Sequence, residues 1–81
     1  MDYTTAVGYT LRRVRKEKRL SLRQVSYKCF VRFNHISDIE RATKQTTTGT
    51  LDIIVTKGLG MDMEEFLKET YLTYKGKETN E

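Results

Sequence analysis

The stretch from Ser21 to Arg41, SLRQVSYKCFVRFNHISDIER, constrains the fold more than any other part of the chain. Its apolar residues fall at Leu22, Val25, Cys29, Val31, Ile36 and Ile39. That spacing fits two short helices hinged at Cys29 to Arg32 better than one continuous helix or any strand. Ser21 is placed to cap the first of them, with Gln24 three residues on completing a capping box. Between the buried positions of the second sit Arg32, Phe33, Asn34, His35, Ser37 and Asp38, side chains able to donate, accept or make apolar contact at base edges. The expectation is a helix-turn-helix whose second helix reads a major groove with residues 32 to 38.

The flanking segments supply the rest of a helical core. Upstream, Thr4 or Thr5 is a candidate cap for a first helix running to about Lys18, with residues 1 to 3 loose or Tyr3 folded over its start. Val7, Leu11 and Val14 recur at the spacing of one buried face, with Thr10 beside them. Downstream, the polar connector Ala42 to Gly49 leads to a fourth helix starting at Thr48 to Thr50. Leu51, Ile54 and Val55 are its buried residues, and Gly58-Leu59-Gly60 is its stop. Asp62, with Glu65 as box partner, is placed to cap a fifth helix that turns Phe66, Leu67 and Tyr71 inward. The sequence therefore predicts an all-α domain over residues 4–74 and a disordered polar tail over residues 75–81, KGKETNE.

Charge is unevenly placed. Residues 1 to 60 carry twelve basic and five acidic side chains, whereas residues 61 to 81 carry three basic and six acidic ones. Between Leu11 and Leu20 stand Arg12, Arg13, Arg15, Lys16, Lys18 and Arg19 against Glu17 alone. Taken singly, each suits a solvated face near the negative end of a helix dipole. As a group they read as a footprint for phosphates.

Several function classes find no support. One cysteine and one histidine supply neither an internal disulfide nor a structural zinc site. Cys29 falls at a buried turn position as a core thiol. There is no glycine-rich phosphate loop and no nucleophile with a recognisable base, so no enzyme, cofactor, metal or small-molecule ligand is expected. Apolar runs such as Ile53-Ile54-Val55 are far shorter than the roughly 20 residues of a membrane helix. The opening MDYTTAVGYT lacks the build of a signal peptide. The expected setting is the cytoplasm, with no membrane association.

The run Leu11-Arg12-x-x-Arg15, Leu20-Ser21-x-x-Gln24-Val25-Ser26, Val31, Ile36-Ser37-Asp38-Ile39-Glu40-Arg41 and Leu51-x-x-Ile54-Val55-x-x-x-Leu59-Gly60 resembles the Cro/C1 repressor-like family, also called Xre-type regulators. The resemblance covers about residues 5 to 67. It implies a compact five-helix, lambda-repressor-like DNA-binding domain with the helix-turn-helix at helices 2 and 3, acting as a transcriptional regulator on double-stranded DNA, often as a homodimer on paired half-sites. It implies a structural ion pair between Arg15 and Glu40. It places Arg32, Phe33, Asn34 and Asp38 at base-reading positions with Ser37 able to reach in, and Thr43, Lys44, Thr46 and Thr47 in a loop that grips the DNA backbone. Arg12, Arg13, Arg23, His35 and Arg41 complete the expected backbone contacts. A carboxylate at position 38 is repelled by phosphates unless it accepts from a cytosine amine or orients a neighbouring arginine or asparagine.

The chain departs from the family pattern at Arg19, Phe30 and Ala42, which stand where glycine is common. Leu22 replaces a polar residue that anchors helix 2 to a phosphate, and Arg32 replaces the usual capping serine or threonine. Met63, Leu67, Tyr71, Leu72 and Tyr74 offer more apolar surface than one short helix needs and are the dimer candidates. The alternative reading is a protein-interaction module, antitoxin-like or an anti-regulator, that keeps the fold. Leu22 and Phe33 favour it, and the basic first helix opposes it.

Overall fold

A computed structural model describes residues 1–79. It contains α1 (Tyr3–Glu17), α2 (Leu22–Cys29), α3 (Phe33–Glu40), α4 (Thr48–Ile53), which continues as one wide π-helical turn (Ile54–Gly58), and α5 (Met63–Thr79). There is no strand among the described residues. The helix-turn-helix therefore comprises α2 and α3, in the places the apolar spacing assigns to them.

The helix starts follow side-chain chemistry. Asp2, not Thr4 or Thr5, caps α1. Its carboxylate accepts from the Thr5 N–H at 2.8 Å, which holds the carboxyl below its usual range. Tyr3 thereby joins the helix, and its ring stacks on Tyr74 with centroids 4.4 Å apart. At α2 the expected capping box is complete: the Gln24 N–H donates to Ser21 Oγ and the Ser21 N–H to Gln24 Oε1. Thr47 caps α4 by accepting from the Thr50 N–H. Asp62 serves α5 through the Glu64 N–H at 3.2 Å, where the sequence suggested a box with Glu65.

Two helices end in Schellman turns, where a residue in left-handed conformation lets the chain fold back onto the last carbonyls. After α1, the Leu20 N–H reaches Arg15 O and the Arg19 N–H reaches Lys16 O. After α3, the Thr43 N–H reaches Asp38 O and the Ala42 N–H reaches Ile39 O. The left-handed residues are Arg19 (φ 58°) and Ala42 (φ 58°), and Phe30 (φ 60°) does the same after α2. These are the three positions where the family pattern favours glycine, so the local geometry persists although the residue that adopts it most easily is gone.

The core joins Leu11 and Val14 from α1, Val25 and Cys29 from α2, Ile36 and Ile39 from α3, Leu51, Ile54, Val55 and Leu59 from the α4 region, and Met61 and Phe66. The π turn brings Gly58 against Val25 and Cys29, where a β-carbon would meet Val25 Cγ1 at 2.8 Å. In α5 the inward row is Phe66, Thr70 and Thr73; Leu67 and Tyr71, expected inside, are about half exposed. Thr70 is buried because its hydroxyl donates to Phe66 O, and Thr73 pairs with Thr10 of α1. The segment Lys75–Thr79, expected as a loose tail, continues α5. With no proline to interrupt it, each added residue gains a backbone hydrogen bond once the helix exists. Residues 80 and 81 of that expected tail lie outside the described residues.

At Gly8, α1 crosses α3 with no room for a side chain. A methyl group at Gly8 would lie 2.3 Å from the carbonyl oxygen of Ile39 and 2.8 Å from that of Glu40. Gly8→Ala must push α3 away, at a cost of roughly 1–3 kcal/mol by the usual scale of overpacking. The thermal midpoint should fall by about 4–8 °C for each kcal/mol; an unmoved midpoint in calorimetry would mean that the two helices part freely. Phe30→Gly should act the other way. The Phe30 side chain is 93% exposed, so relief of its left-handed backbone should add about 1 kcal/mol to stability, seen as a higher urea midpoint with an unchanged slope.

Candidate nucleic-acid interface

The site is built outward from one buried clamp. Arg15 of α1 donates through Nε to Glu40 Oε2 at 2.7 Å and through Nη2 to Glu40 Oε1 at 3.0 Å, while its Nη1 donates to Leu20 O at 2.9 Å. The two side chains are only 11% and 4% exposed. One guanidinium thus fixes the end of α3 and the end of the α1–α2 turn together. A fork-to-carboxylate pair of this kind sets direction as well as distance.

With its inner face held by Ile36, Ile39 and Glu40, α3 presents Asn34, Ser37, Asp38 and Arg41, a row at three- and four-residue spacing. Asn34 and Arg41 are exposed, and Ser37 and Asp38 partly so. Asp38 does not stand alone. Its Oδ1 accepts from Arg41 Nη2 at 2.9 Å, and its Oδ2 lies 3.7 Å from Lys44 Nζ. Arg32 is exposed at the head of α3 and makes no capping bond with its side chain. Phe33 lies toward α2, with the Arg23 guanidinium 5.0 Å from its ring centroid. That arrangement is a cation–π contact, and it gives Phe33 an intramolecular partner. His35 is half-buried and stands outside the row.

The remaining expected contacts divide. Arg12 and Lys16 are exposed on the same side of α1 as Tyr9. Arg13, expected to grip phosphates, is engaged elsewhere: Nη2 donates to Glu69 of α5 at 2.7 Å and Nη1 to Glu17 at 3.1 Å. The bond to Glu69 is the main reason its charged form is favoured further. In the α3–α4 loop, Thr43 and Lys44 point back to Asp38. Thr46 bonds the carbonyl of Thr47, and Thr47 is spent on capping α4. The helix spacing of Asp38 and Arg41 was readable from sequence; the Arg13–Glu69 and Arg23–Phe33 contacts join distant segments and carried no such signal.

Of the dimer candidates, Met63 packs on the core edge and Tyr74 stacks on Tyr3. Leu67 and Tyr71, four residues apart, are exposed side by side, while Leu72 is exposed on the other flank of α5. Tyr27 is 86% exposed on α2, at a position that no apolar periodicity marks. Among the described residues no group of three His, Cys, Asp or Glu side chains is placed to hold a metal ion, and no helix is long and apolar enough to cross a membrane.

No protein-family model matches the chain, and no curated protein is significantly similar to it. Solved structures share the fold over nearly the whole length. The wild-type restriction-modification controller protein C.Esp1396I superposes with a TM-score of 0.86 at 24% identity, covering 94% of this chain and 97% of that one. The same controller protein as a tetramer in complex with its natural 35 base-pair operator gives 0.84 at 25% identity, covering 90% and 95%. The clp gene regulator ClgR from Corynebacterium glutamicum gives 0.90 at 22% identity, covering 99% and 84%. The five-helix architecture implied by the sequence resemblance is therefore the observed one.

Because Arg13 faces α5, Arg13→Ala should lower the thermal midpoint by unpairing Glu69 and leave the salt dependence of duplex affinity as it is. Arg12→Ala should do the reverse, flattening the slope of log affinity against log salt by about one. Equal effects of the two changes on that slope would show that Arg13 leaves its acidic partners to meet phosphate.

Proposed function

We propose that this protein is a sequence-specific regulator of transcription that binds double-stranded DNA by laying α3 in the major groove. The observation that carries this reading is the polar row Asn34, Ser37, Asp38 and Arg41, wholly or partly exposed on the outer face of a helix whose other face is locked by the Arg15–Glu40 clamp. A rod fixed on one side and polar on the other is the part that groove recognition needs. That C.Esp1396I, which shares the fold, is solved in complex with its operator supports duplex DNA as the partner.

In this reading Arg32 meets guanine O6 and N7, Asn34 pairs with adenine, Phe33 presses on a thymine methyl and Ser37 reaches in beside them. Arg12, Arg23, His35, Arg41, Thr43 and Lys44 meet the sugar-phosphate backbone. Two copies joined through the Leu67–Tyr71 side of α5 would place two α3 helices on half-sites about 34 Å apart. Bound at a promoter, such a dimer occludes polymerase or contacts it. The chemistry is recognition without catalysis, in the cytoplasm.

A second reading, a protein-interaction module, is favoured by one observation: Tyr27 and Phe30, three residues apart, are the most exposed aromatic side chains. Binding to a nonspecific duplex at rising salt separates the two, because several phosphate contacts make affinity fall steeply with salt. Asn34→Ala should relax preference at one or two base pairs and barely move the melting temperature. The check is selection of bound sites from a random duplex pool with both proteins; identical selected sites would remove α3 as the reader.

A further inference from the structure

The row on α3 contains a carboxylate, which is an odd group to carry toward a polyanion. On the DNA-binding reading above, we propose that Asp38 is a positioning residue. It reads no base itself; it holds Arg41 so that the guanidinium presents its free N–H groups to a pair of acceptors on the duplex, either guanine O6 and N7 or two phosphate oxygens.

Three features of the geometry support this. First, the carboxylate is recessed and the guanidinium leads: the Asp38 side chain is 22% exposed and that of Arg41 is 61%. Second, both carboxylate oxygens are occupied from within the protein. Oδ1 takes Arg41 Nη2 at 2.9 Å with the Thr43 hydroxyl 3.5 Å away, and Oδ2 faces Lys44 Nζ at 3.7 Å. Third, the backbone enforces the arrangement. Ala42 at φ 58° turns the chain back, so that the Thr43 N–H and hydroxyl both donate to the Asp38 carbonyl, at 2.9 and 3.1 Å. Lys44 follows them onto the same residue.

The charges then make sense. An isolated carboxylate here would repel phosphate; one carboxylate between two cations leaves the cluster with a surplus of positive charge. Arginine has five N–H donors in a rigid fork, and the bond to Asp38 uses one, leaving four to meet a paired acceptor. An exposed pair three residues apart adds little to helix stability, so its effect should appear in recognition and not in melting.

The test uses the full chain with two duplexes, a site selected from a random pool and a scrambled one, and the variants Asp38→Ala, Asp38→Asn, Arg41→Ala and Asp38→Ala/Arg41→Ala. Arg41→Ala should weaken binding to the selected site by roughly five- to a hundredfold. Asp38→Ala should reproduce a measurable part of that loss at an unchanged melting temperature, Asp38→Asn less of it because an acceptor remains, and the double variant should be no worse than Arg41→Ala. If guanine is the acceptor, affinity for the scrambled duplex should hold or rise in Asp38→Ala, since a negative charge has gone; if phosphate is, it should fall together with that for the selected site. Loss of preference at one base pair in Arg41→Ala marks guanine as the acceptor, and a uniform loss across sequences marks phosphate.

Additive losses in the double variant, wild-type affinity in Asp38→Ala, or a base preference that Asp38→Ala still alters in the Arg41→Ala background would each overturn the proposal. Those outcomes leave the DNA-binding reading standing as long as the unmodified protein binds duplex in a salt-dependent way. If the unmodified protein binds neither duplex, both readings fail together.

Discussion

The crossing of α1 and α3 is the constraint from which the rest of the molecule follows. Gly8 admits the last carbonyls of α3 to within a distance no side chain would tolerate. Two turns further along α1, Arg15 grips Glu40 with two hydrogen bonds and the turn before α2 with a third. Burying two charges is costly, and such a pair is weak grounds for claiming net stability. What it supplies is direction. An apolar contact between the same helices would tolerate rotation of α3 about its axis, and a small rotation would carry Asn34 and Arg41 off the outer face. The bidentate pair resists that rotation, so a polar clamp at the rear sets the aim of the polar row at the front.

The turns follow the same logic of geometry held against local preference. Arg19, Phe30 and Ala42 all adopt left-handed backbone, each at a cost of roughly 1 kcal/mol relative to glycine. They adopt it because the hydrogen bonds across each turn and the packing of the helices on either side leave no other route for the chain. Of the three, Ala42 has a role beyond closure. By folding Thr43 and Lys44 back on Asp38, it ties the following loop to the end of α3. The strain at Phe30 serves no packing, since that side chain is solvent-facing, and the structure itself gives no reason for an aromatic there.

The fold was legible because it rests on periodicity. The apolar spacing of Ser21 to Arg41 gave two helices and their hinge, and Ser21 with Gln24 gave the cap, since both depend on residues within one helical turn of each other. The Arg15–Glu40 pair came only through resemblance: nothing local links positions 25 residues apart. Where expectation and structure part, tertiary contact is the reason. Leu67 looks like a core residue by composition, yet the facing surface of α1 offers Thr10 and Arg13, so the inward row of α5 is Phe66, Thr70 and Thr73, and the leucine is left outside. The cap of α1 is ambiguous in sequence because Asp2 and two threonines compete within four residues, and only the backbone decides for Asp2. Asp38 was legible as a contradiction, a carboxylate among donors, before its partners were visible.

Electrostatics gives the molecule an orientation as well as a sign. The five ion pairs found among the described residues engage Arg13, Arg15, Arg41 and Lys44, and the acids of the C-terminal part take part through Glu69. By contrast, no acidic residue occurs between Glu17 and Asp38, while Lys18, Arg19, Arg23, Lys28 and Arg32 all fall in that interval. The positive field is therefore concentrated on α2 and its flanking turns, and α5 carries Glu64, Glu65 and Glu69 on another side of the core. At physiological salt such fields reach only about 8 Å, so they act in the last steps of approach, where they favour the helix-turn-helix over α5 as the leading face. Pairing Arg13 with Glu69 sharpens that contrast: it withdraws a cation from the rear of α1 and cancels an acid that would otherwise oppose the approach. The same ion pairs that brace the helices thus leave their surplus charge beside the polar row of α3.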